Sequence, residues 1–101
     1  ELRLLGADCR VVTADLNDPA GAKALFDAVE AGGRAVDVLV NNAGFGDLGA
    51  FTKAELHKLV GMVQVNVTAL TELSHRFLPG MVSRRRGMIL NVGSVAGFQP
   101  G

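Results

Sequence analysis

Three short apolar runs, separated by segments of helical period, constrain the fold of this chain more than any other feature. They lie at 9–14, 36–40 and 87–92. Each run shows little alternation of polar and apolar residues, which is typical of strands buried on both faces of a sheet. Strands that alternate with helices form parallel sheets. The sequence therefore predicts an α/β fold, a doubly wound parallel sheet of three strands with covering helices on both faces.

The first predicted helix follows the run at 9–14. Asp18 can cap its N-terminus, and Pro19 can occupy its first position because proline lacks the N–H that the first turn leaves unpaired. Apolar residues recur after it at helical spacing, namely Ala22, Leu25, Phe26 and Val29. Two glycines at 32 and 33 then predict the end of this helix.

A second, longer helical segment is predicted between the other two strands. Thr52 and Glu55 have the spacing of a capping box, so we place its start near Thr52. Apolar positions at helical spacing continue it to about Arg86. Pro79 and Gly80 should kink or interrupt it. The predicted element order is therefore β, α, β, α, β.

Charge and cysteine content argue against several classes of partner. Ten acidic and ten basic residues give a net charge of zero, so no overall field attracts nucleic acid or an anionic membrane. No apolar run reaches the roughly 18 residues of a membrane span. The single cysteine, Cys9, fits a reducing compartment. We therefore predict a cytoplasmic protein with neither a nucleic-acid nor a membrane partner.

Two other features are predicted to be ordinary surface positions. Arg84, Arg85 and Arg86 lie at the end of the long helical segment, where positive charge complements the helix dipole and stays solvated. His57 and His75 have no partner at metal-ligand spacing, so no metal site is predicted.

Polar and small residues follow each predicted strand at its carboxyl end. In an open α/β sheet these ends lie at one edge, and ligands bind in the crevice there. Small residues let a ligand approach the backbone closely. The three segments are Asp15 and Leu16, then Asn41, Asn42, Ala43 and Gly44, and finally Gly93 and Ser94. The sequence therefore predicts that these segments form one ligand crevice.

Four motifs in this chain resemble those of one enzyme family. Asp15-Leu16, Asn41-Asn42-Ala43-Gly44, Asn66 within Val-Gln-Val-Asn-Val, and the run from Asn91 to Gly97 stand in the order and spacing of the short-chain dehydrogenase/reductase family. The resemblance covers nearly the whole chain. It implies a partial Rossmann-like sheet, NAD or NADP as the cofactor, and hydride transfer between a small-molecule carbonyl and its alcohol.

The resemblance assigns the first two motifs to cofactor binding. Asp15 matches the family acid whose carboxylate accepts a hydrogen bond from the adenine amino group, with the backbone of Leu16 beside it. The motif Asn41-Asn42-Ala43-Gly44 matches one that stabilises the central sheet and lies beside the adenosine ribose and the diphosphate. Both segments can also be read as structural strand ends, and for the amide motif that reading holds in part even within the family.

The resemblance assigns catalysis to Asn66 and Ser94. The matching asparagine opens its helix locally, and its backbone carbonyl holds a water that connects the catalytic lysine to solvent. The matching serine hydrogen-bonds the substrate oxygen and stabilises charge on it as hydride moves. A satisfied buried amide and a surface serine after a strand are the alternative readings of these two residues.

Two parts of the family pattern lie outside this sequence. The glycine-rich loop Thr-Gly-x-x-x-Gly-x-Gly would precede Glu1, and the catalytic Tyr-x-x-x-Lys pair would follow Gly101; the chain contains no tyrosine. We therefore expect residues 1–101 to be the central portion of one dinucleotide-binding domain, truncated at both ends and inactive alone. The resemblance implies a homodimer or homotetramer for the parent protein.

Two other functions remain open at this point. A relative that binds the cofactor for regulation, without catalysis, would share most of these motifs. An α/β interaction module that binds no nucleotide is the second alternative.

Strand order adds an expectation about pairing. In the doubly wound order 3-2-1-4-5, the run at 9–14 is the third strand and the run at 36–40 the fourth, so the two would not be neighbours. The run at 9–14 would then be detached, pair with 36–40 in a non-native way, or pair with a second chain. The pair formed by 36–40 and 87–92 should survive best.

Overall fold

The computed structural model describes residues 6–44, 46 and 49–93. Its regular elements are helix α1 (Gly21–Ala31), strand β1 (Val38–Asn41), a short 3-10 helix (Phe51–Lys53), helix α2 (Leu56–Val63), a π-helical segment (Gln64–Ala69), helix α3 (Leu70–Arg84) and strand β2 (Met88–Asn91). The predicted α/β class is confirmed. None of the helices in these ranges combines the length and the apolarity needed to cross a membrane.

The two strands form a parallel pair. Val38 aligns with Met88, and Asn41 aligns with Asn91. Backbone hydrogen bonds extend the ladder at both ends, since Met88 N donates to the Asp37 carbonyl at 2.8 Å and Val92 N donates to the Asn41 carbonyl at 3.0 Å. Parallel strands need a crossover connection, which the helical run from α2 to α3 supplies. The predicted pairing of 36–40 with 87–92 is confirmed.

The predicted strand at 9–14 does not form. Residues 7–15 have no regular secondary structure, and the sheet within the described ranges has two strands. A strand needs a neighbour for its ladder, and in the doubly wound order this run is not adjacent to β1. Val11 is accordingly 78% exposed. The strand predicted at 9–14 is therefore absent, and of the three arrangements considered for this run the detached one is observed.

One helical layer covers one face of the sheet. Phe77 of α3 meets Phe26 of α1 edge to face, with ring centroids 4.9 Å apart, and Leu39 and Ile89 of the strands pack against the same cluster. The buried apolar residues of this cluster are Ala22, Ala69, Leu73, Phe77 and Met81. Successive side chains of a strand alternate between faces, and those on the other face, Val38, Val40, Met88 and Leu90, are all exposed. Within the described residues, helices therefore cover one face of the strand pair, whereas the sequence analysis expected helices on both faces.

Helix α1 begins later than predicted. Asp18 Oδ1 accepts a hydrogen bond from Ala20 N at 2.9 Å, and the Asp18 carbonyl accepts one from Gly21 N at 2.8 Å. Asp18 therefore closes a turn that precedes the helix, and Pro19 lies in that turn instead of at the first helical position. The side-chain bond to Ala20 N is of the kind that a capping aspartate makes, but the backbone bond from Gly21 N spans only three residues, so a tighter turn precedes α1.

The long helical run also starts later than predicted, and it continues past its proline. Thr52 lies in the 3-10 helix, and Glu55 is itself the N-cap residue of α2, without a side-chain cap hydrogen bond. Pro79 lies inside α3 and does not interrupt it. A proline there removes one backbone hydrogen bond, and burial of Phe77 and Met81 on either side holds the helix together.

Two of the three arginines after Ser83 contact other parts of the chain, whereas the sequence analysis predicted solvated surface positions. Arg84 Nη2 donates to the Val36 carbonyl at 2.8 Å, and Arg86 Nε lies 3.3 Å from Asp37 Oδ2. Arg85 adopts a left-handed conformation with φ of 54°, which ends α3. Two of the three arginines thus connect the end of α3 to the segment that enters β1.

Candidate functional site

The carboxyl end of β1 and the segment before α1 meet at one edge of the fold. Leu16, Asn41, Asn42 and Ala43 line a single cavity of about 190 Å³, together with apolar side chains of α1, β1 and the long helical run. The two motifs that the sequence predicts to bind the cofactor are therefore adjacent in space. Residues 7–15 form no strand, so the place of Leu16 here depends on its packing against the core cluster and on the hydrogen bond from Gln64 to its carbonyl.

Asp15 closes a tight turn beside this cavity. Its Oδ1 accepts a hydrogen bond from Asn17 N at 3.0 Å, and its carbonyl accepts one from Asp18 N at 3.2 Å. Asp15 is exposed, and no donor from the described ranges reaches its Oδ2. That oxygen is therefore available to accept a hydrogen bond from a ligand amino group.

The start of α1 holds this turn in place. Gly21 is buried against the backbone of Asp15. A Cβ atom at position 21 would overlap the Asp15 carbonyl oxygen, and it would lie 2.7 Å from the carbonyl carbon of Asp15 and 3.3 Å from Leu16 Cα. Glycine is therefore the residue that permits this approach. The sequence analysis did not identify Gly21 as part of the site.

Asn41 forms the polar centre of the edge. The residue is 8% exposed. Its Nδ2 donates to Ser74 Oγ at 3.1 Å and to Asn91 Oδ1 at 2.9 Å. One buried amide therefore joins β1 to β2 and to α3. Asn42, Ala43 and Gly44 are exposed beyond it, where they can face a ligand.

Replacing Asn41 with leucine, a side chain of similar length, is expected to lower the free energy of unfolding by about 1–3 kcal/mol. The change removes both hydrogen bonds while keeping the volume filled. Urea denaturation followed by circular dichroism measures the loss. Asn42→Leu is the matched control because Asn42 is exposed, and we expect its effect to stay within about 0.5 kcal/mol. Equal losses in the two variants would contradict the bridging role of Asn41.

Asn66 lies in the π-helical segment Gln64–Ala69. A local irregularity of the helix at this position, which the family resemblance implies, is thus present. The side chain lies against Gly44, since a Cβ atom at position 44 would overlap the Asn66 amide oxygen and lie 3.4 Å from Cγ. The π segment therefore touches the amide motif that follows β1. The catalytic role of Asn66 stays a prediction.

Ser94 lies outside the described residues, which end at Gly93. The ladder between β1 and β2 extends through Val92, so the described chain leads to the same edge as Asn41. The catalytic role of Ser94 stays a prediction.

Two polar residues of the helical run belong to the site and were missed in the sequence. Gln64 Nε2 donates to the Leu16 carbonyl at 3.3 Å, and Ser74 accepts from Asn41. Gln64 lies between two valines, and Ser74 has apolar residues four positions before it and three and four positions after it, on a helix that packs on a sheet. A polar side chain in such a position predicts a hydrogen-bond partner in the interior, and this is the signal that could have identified both.

The edge combines small residues with one hydrogen-bond acceptor. Ala43 is exposed, and Asp15 Oδ2 offers an acceptor at the rim. The cavity of about 190 Å³ is smaller than the roughly 300–1,000 Å³ of complete small-molecule sites. Within the described ranges no three histidine, cysteine or acidic side chains stand close enough together to bind a metal ion.

Comparison with known proteins decides the family. A family model described as short chain dehydrogenase matches residues 1–101. The chain belongs to the short-chain dehydrogenase family. The NADP-dependent 3-hydroxy acid dehydrogenase YdfG of Salmonella typhi is 36% identical over 97 residues, which are 95% of this chain and 39% of that protein. The inactive 2-(S)-hydroxypropyl-CoM dehydrogenase 2 of Xanthobacter autotrophicus is 39% identical over 94 residues, which are 93% of this chain and 41% of that protein.

A solved short-chain dehydrogenase has the same fold as this chain. The crystal structure of a metagenomic short-chain oxidoreductase in complex with NADP superposes with a TM-score of 0.89 at 31% identity, covering 99% of this chain and 46% of that one. The Rossmann-like architecture predicted from the sequence is thereby confirmed. The chain spans less than half the length of these three short-chain dehydrogenases.

Proposed function

We propose that this chain forms the adenosine side of the cofactor crevice in an NAD(P)-dependent oxidoreductase that interconverts a carbonyl and an alcohol. The observation that carries the proposal is the single cavity lined by Leu16, Asn41, Asn42 and Ala43 in a chain of the short-chain dehydrogenase family. The NADP dependence in the name of YdfG and the NADP in the metagenomic structure support a nicotinamide cofactor, either NAD or NADP.

Each site residue has a distinct task in this proposal. Asp15 accepts a hydrogen bond from the adenine amino group, and the Leu16 backbone lies beside the ring. Asn41 holds the floor of the crevice, while Asn42, Ala43 and Gly44 flank the ribose and the diphosphate. Small side chains matter there because they allow hydrogen bonds from the backbone.

The reaction itself needs groups beyond these. When bound, the cofactor supplies the hydride-transfer chemistry. Ser94 orients the substrate oxygen and stabilises charge on it, and Asn66 supports proton transfer through its backbone carbonyl. The chain has no tyrosine, and the family pattern uses a tyrosine as the general acid/base. We therefore propose that residues 1–101, the central portion of one dinucleotide-binding domain, have no dehydrogenase activity alone.

Substitution of Asp15 with asparagine tests the cofactor site. Asparagine keeps an oxygen for the Asn17 amide but replaces the free carboxylate oxygen with a donor, which cannot accept from adenine. Because hydrogen bonds to charged groups contribute about 1.5–3 kcal/mol, we expect ADP binding by the 101-residue chain to weaken about tenfold or more. Isothermal titration calorimetry measures the dissociation constant.

Asp27→Asn is the matched control, because Asp27 lies on α1 and pairs with Lys23 at 2.7 Å, away from the crevice. It should leave ADP binding unchanged. If the unaltered chain bound neither ADP nor NADPH, the result would favour the interaction module and overturn the proposed function.

A cofactor-binding relative without catalysis is the second candidate. The name of the Xanthobacter protein, which is called inactive, shows that a relative of this similarity can lack the activity. The two candidates differ in one feature of any longer protein that contains this chain. A Tyr-x-x-x-Lys motif downstream of Ser94 favours the enzyme, and its absence there favours the regulatory relative.

The partners of the proposed enzyme are its small-molecule substrate and further copies of itself. Exposed apolar side chains at Leu56, Val60, Val63 and Val67 form a stripe along α2 and the π segment at the spacing of one helix face. A contiguous apolar stripe of this kind is typical of an interface. We assign it to a homodimer or homotetramer of a cytoplasmic protein, with neither nucleic acid nor membrane as a partner.

A further inference from the structure

The π segment contacts both sides of the proposed crevice. Gln64, its first residue, donates from Nε2 to the Leu16 carbonyl at 3.3 Å. Two residues later, the Asn66 side chain lies against Gly44. Val65 between them is buried and lines the cavity. Three consecutive residues thus reach the turn before α1, the cavity, and the motif after β1.

The turn before α1 does not satisfy the Leu16 carbonyl by itself. Its internal hydrogen bonds use the carboxylates and the backbone carbonyls of Asp15 and Asp18 as acceptors. The Leu16 carbonyl accepts instead from Gln64, which is 48 residues away in sequence. A partly buried carbonyl that lost its donor would destabilise the turn. Gln64 is therefore a polar connection between this turn and the long helical run.

The helical run has an irregular geometry at Gln64. π turns are rare, occur mostly as single turns inside α-helices, and are frequent at functional sites. Here the π turn coincides with the residues that reach Leu16 and Gly44. The π turn therefore lies where the helical run makes its contacts with the Asp15–Leu16 turn and the motif after β1.

We propose that Gln64 is a positioning residue that fixes the Asp15–Leu16 turn relative to the motif after β1, and with it the separation of the adenine and diphosphate subsites. Gln64 does not touch the ligand in this scheme; it acts through the Leu16 carbonyl. The inference rests on the proposed function, because the subsites are those of the dinucleotide crevice.

Gln64→Met tests the inference in the 101-residue chain. Methionine keeps the length of the side chain but has no N–H donor. We expect hydrogen exchange at the Asn17 and Asp18 amides, measured by NMR, to accelerate about three- to tenfold, which corresponds to the loss of one hydrogen bond. The dissociation constant for ADP should rise by a similar factor. Exchange in the second half of α3 should not change.

Two further variants separate positioning from general loss of structure. Gln64→Lys restores a donor at similar reach, so its exchange rates at Asn17 and Asp18 should return to within about twofold of the unaltered chain. Thr68→Val alters an exposed residue of the same π segment and should leave both exchange and ADP affinity unchanged.

The exchange rates and the ADP affinity test different parts of the proposal. Unchanged exchange in Gln64→Met would overturn the connection between Gln64 and the turn. Faster exchange with unchanged ADP affinity would overturn its role in positioning the subsites. If the unaltered chain bound no ADP, both the proposed function and the role of Gln64 in positioning the subsites would be overturned. The exchange rates would still show whether Gln64 stabilises the turn.

Discussion

Replacing Phe77 with alanine is expected to lower the free energy of unfolding by about 3–5 kcal/mol. Phe77 is 7% exposed, and its ring meets Phe26 at a centroid distance of 4.9 Å. It joins α1 to α3 above the sheet, so its removal leaves a cavity between the two helices. Domains of this size have a total stability of about 5–15 kcal/mol. Urea denaturation followed by far-ultraviolet circular dichroism should show a transition shifted far toward low denaturant or lost.

Phe51→Ala provides the same chemical deletion at an exposed position. Phe51 lies in the 3-10 helix and is 77% exposed. Its loss should change the free energy of unfolding by no more than about 0.5 kcal/mol. A small effect of Phe77→Ala, or similar effects of the two variants, would contradict the assignment of Phe77 to the centre of the core.

Replacing Gly21 with alanine is expected to destabilise the chain, although the same change stabilises most helices. Helix propensity alone favours alanine over glycine by about 1 kcal/mol. The new Cβ, however, would overlap the Asp15 carbonyl oxygen, and overpacking of this kind costs about 1–3 kcal/mol. The overlap dominates because the obstacle is backbone, which cannot rotate away as a side chain does. We expect a net loss of up to about 2 kcal/mol in urea denaturation.

Gly46→Ala is the matched control for this prediction. A Cβ atom at position 46 would meet no atom within 4 Å, so its effect should stay within about 0.5 kcal/mol. Gly21→Ala should also weaken ADP binding, because the Asp15–Leu16 turn must shift to make room. An increase in stability for Gly21→Ala would show that the turn is not held against α1.

Much of the candidate site was predictable because it follows from the direction of the chain. The strands at 36–40 and 87–92 have continuous apolar character, and parallel strands place their carboxyl ends at one edge. The same rule, applied to a predicted strand at 9–14, led to the expectation that Leu16 lies near Asn41, Asn42 and Ala43. The common cavity confirms this proximity, although that strand does not form. Gln64, Ser74 and Gly21 were not predictable in this way, because their partners lie in other segments of the chain.

The sequence by itself determined the parallel pairing of β1 with β2, the long helical crossover and the family, because period, strand direction and motif spacing are properties of the chain. Only the tertiary structure showed that the run at 9–14 forms no strand. This run has the composition of a strand, but no strand in the described ranges pairs with it. It also decided the π turn at Gln64–Ala69 and the close approach of Gly21 to Asp15. Local patterns express a preference for a conformation, whereas hydrogen-bond partners and steric contacts come from segments distant in sequence.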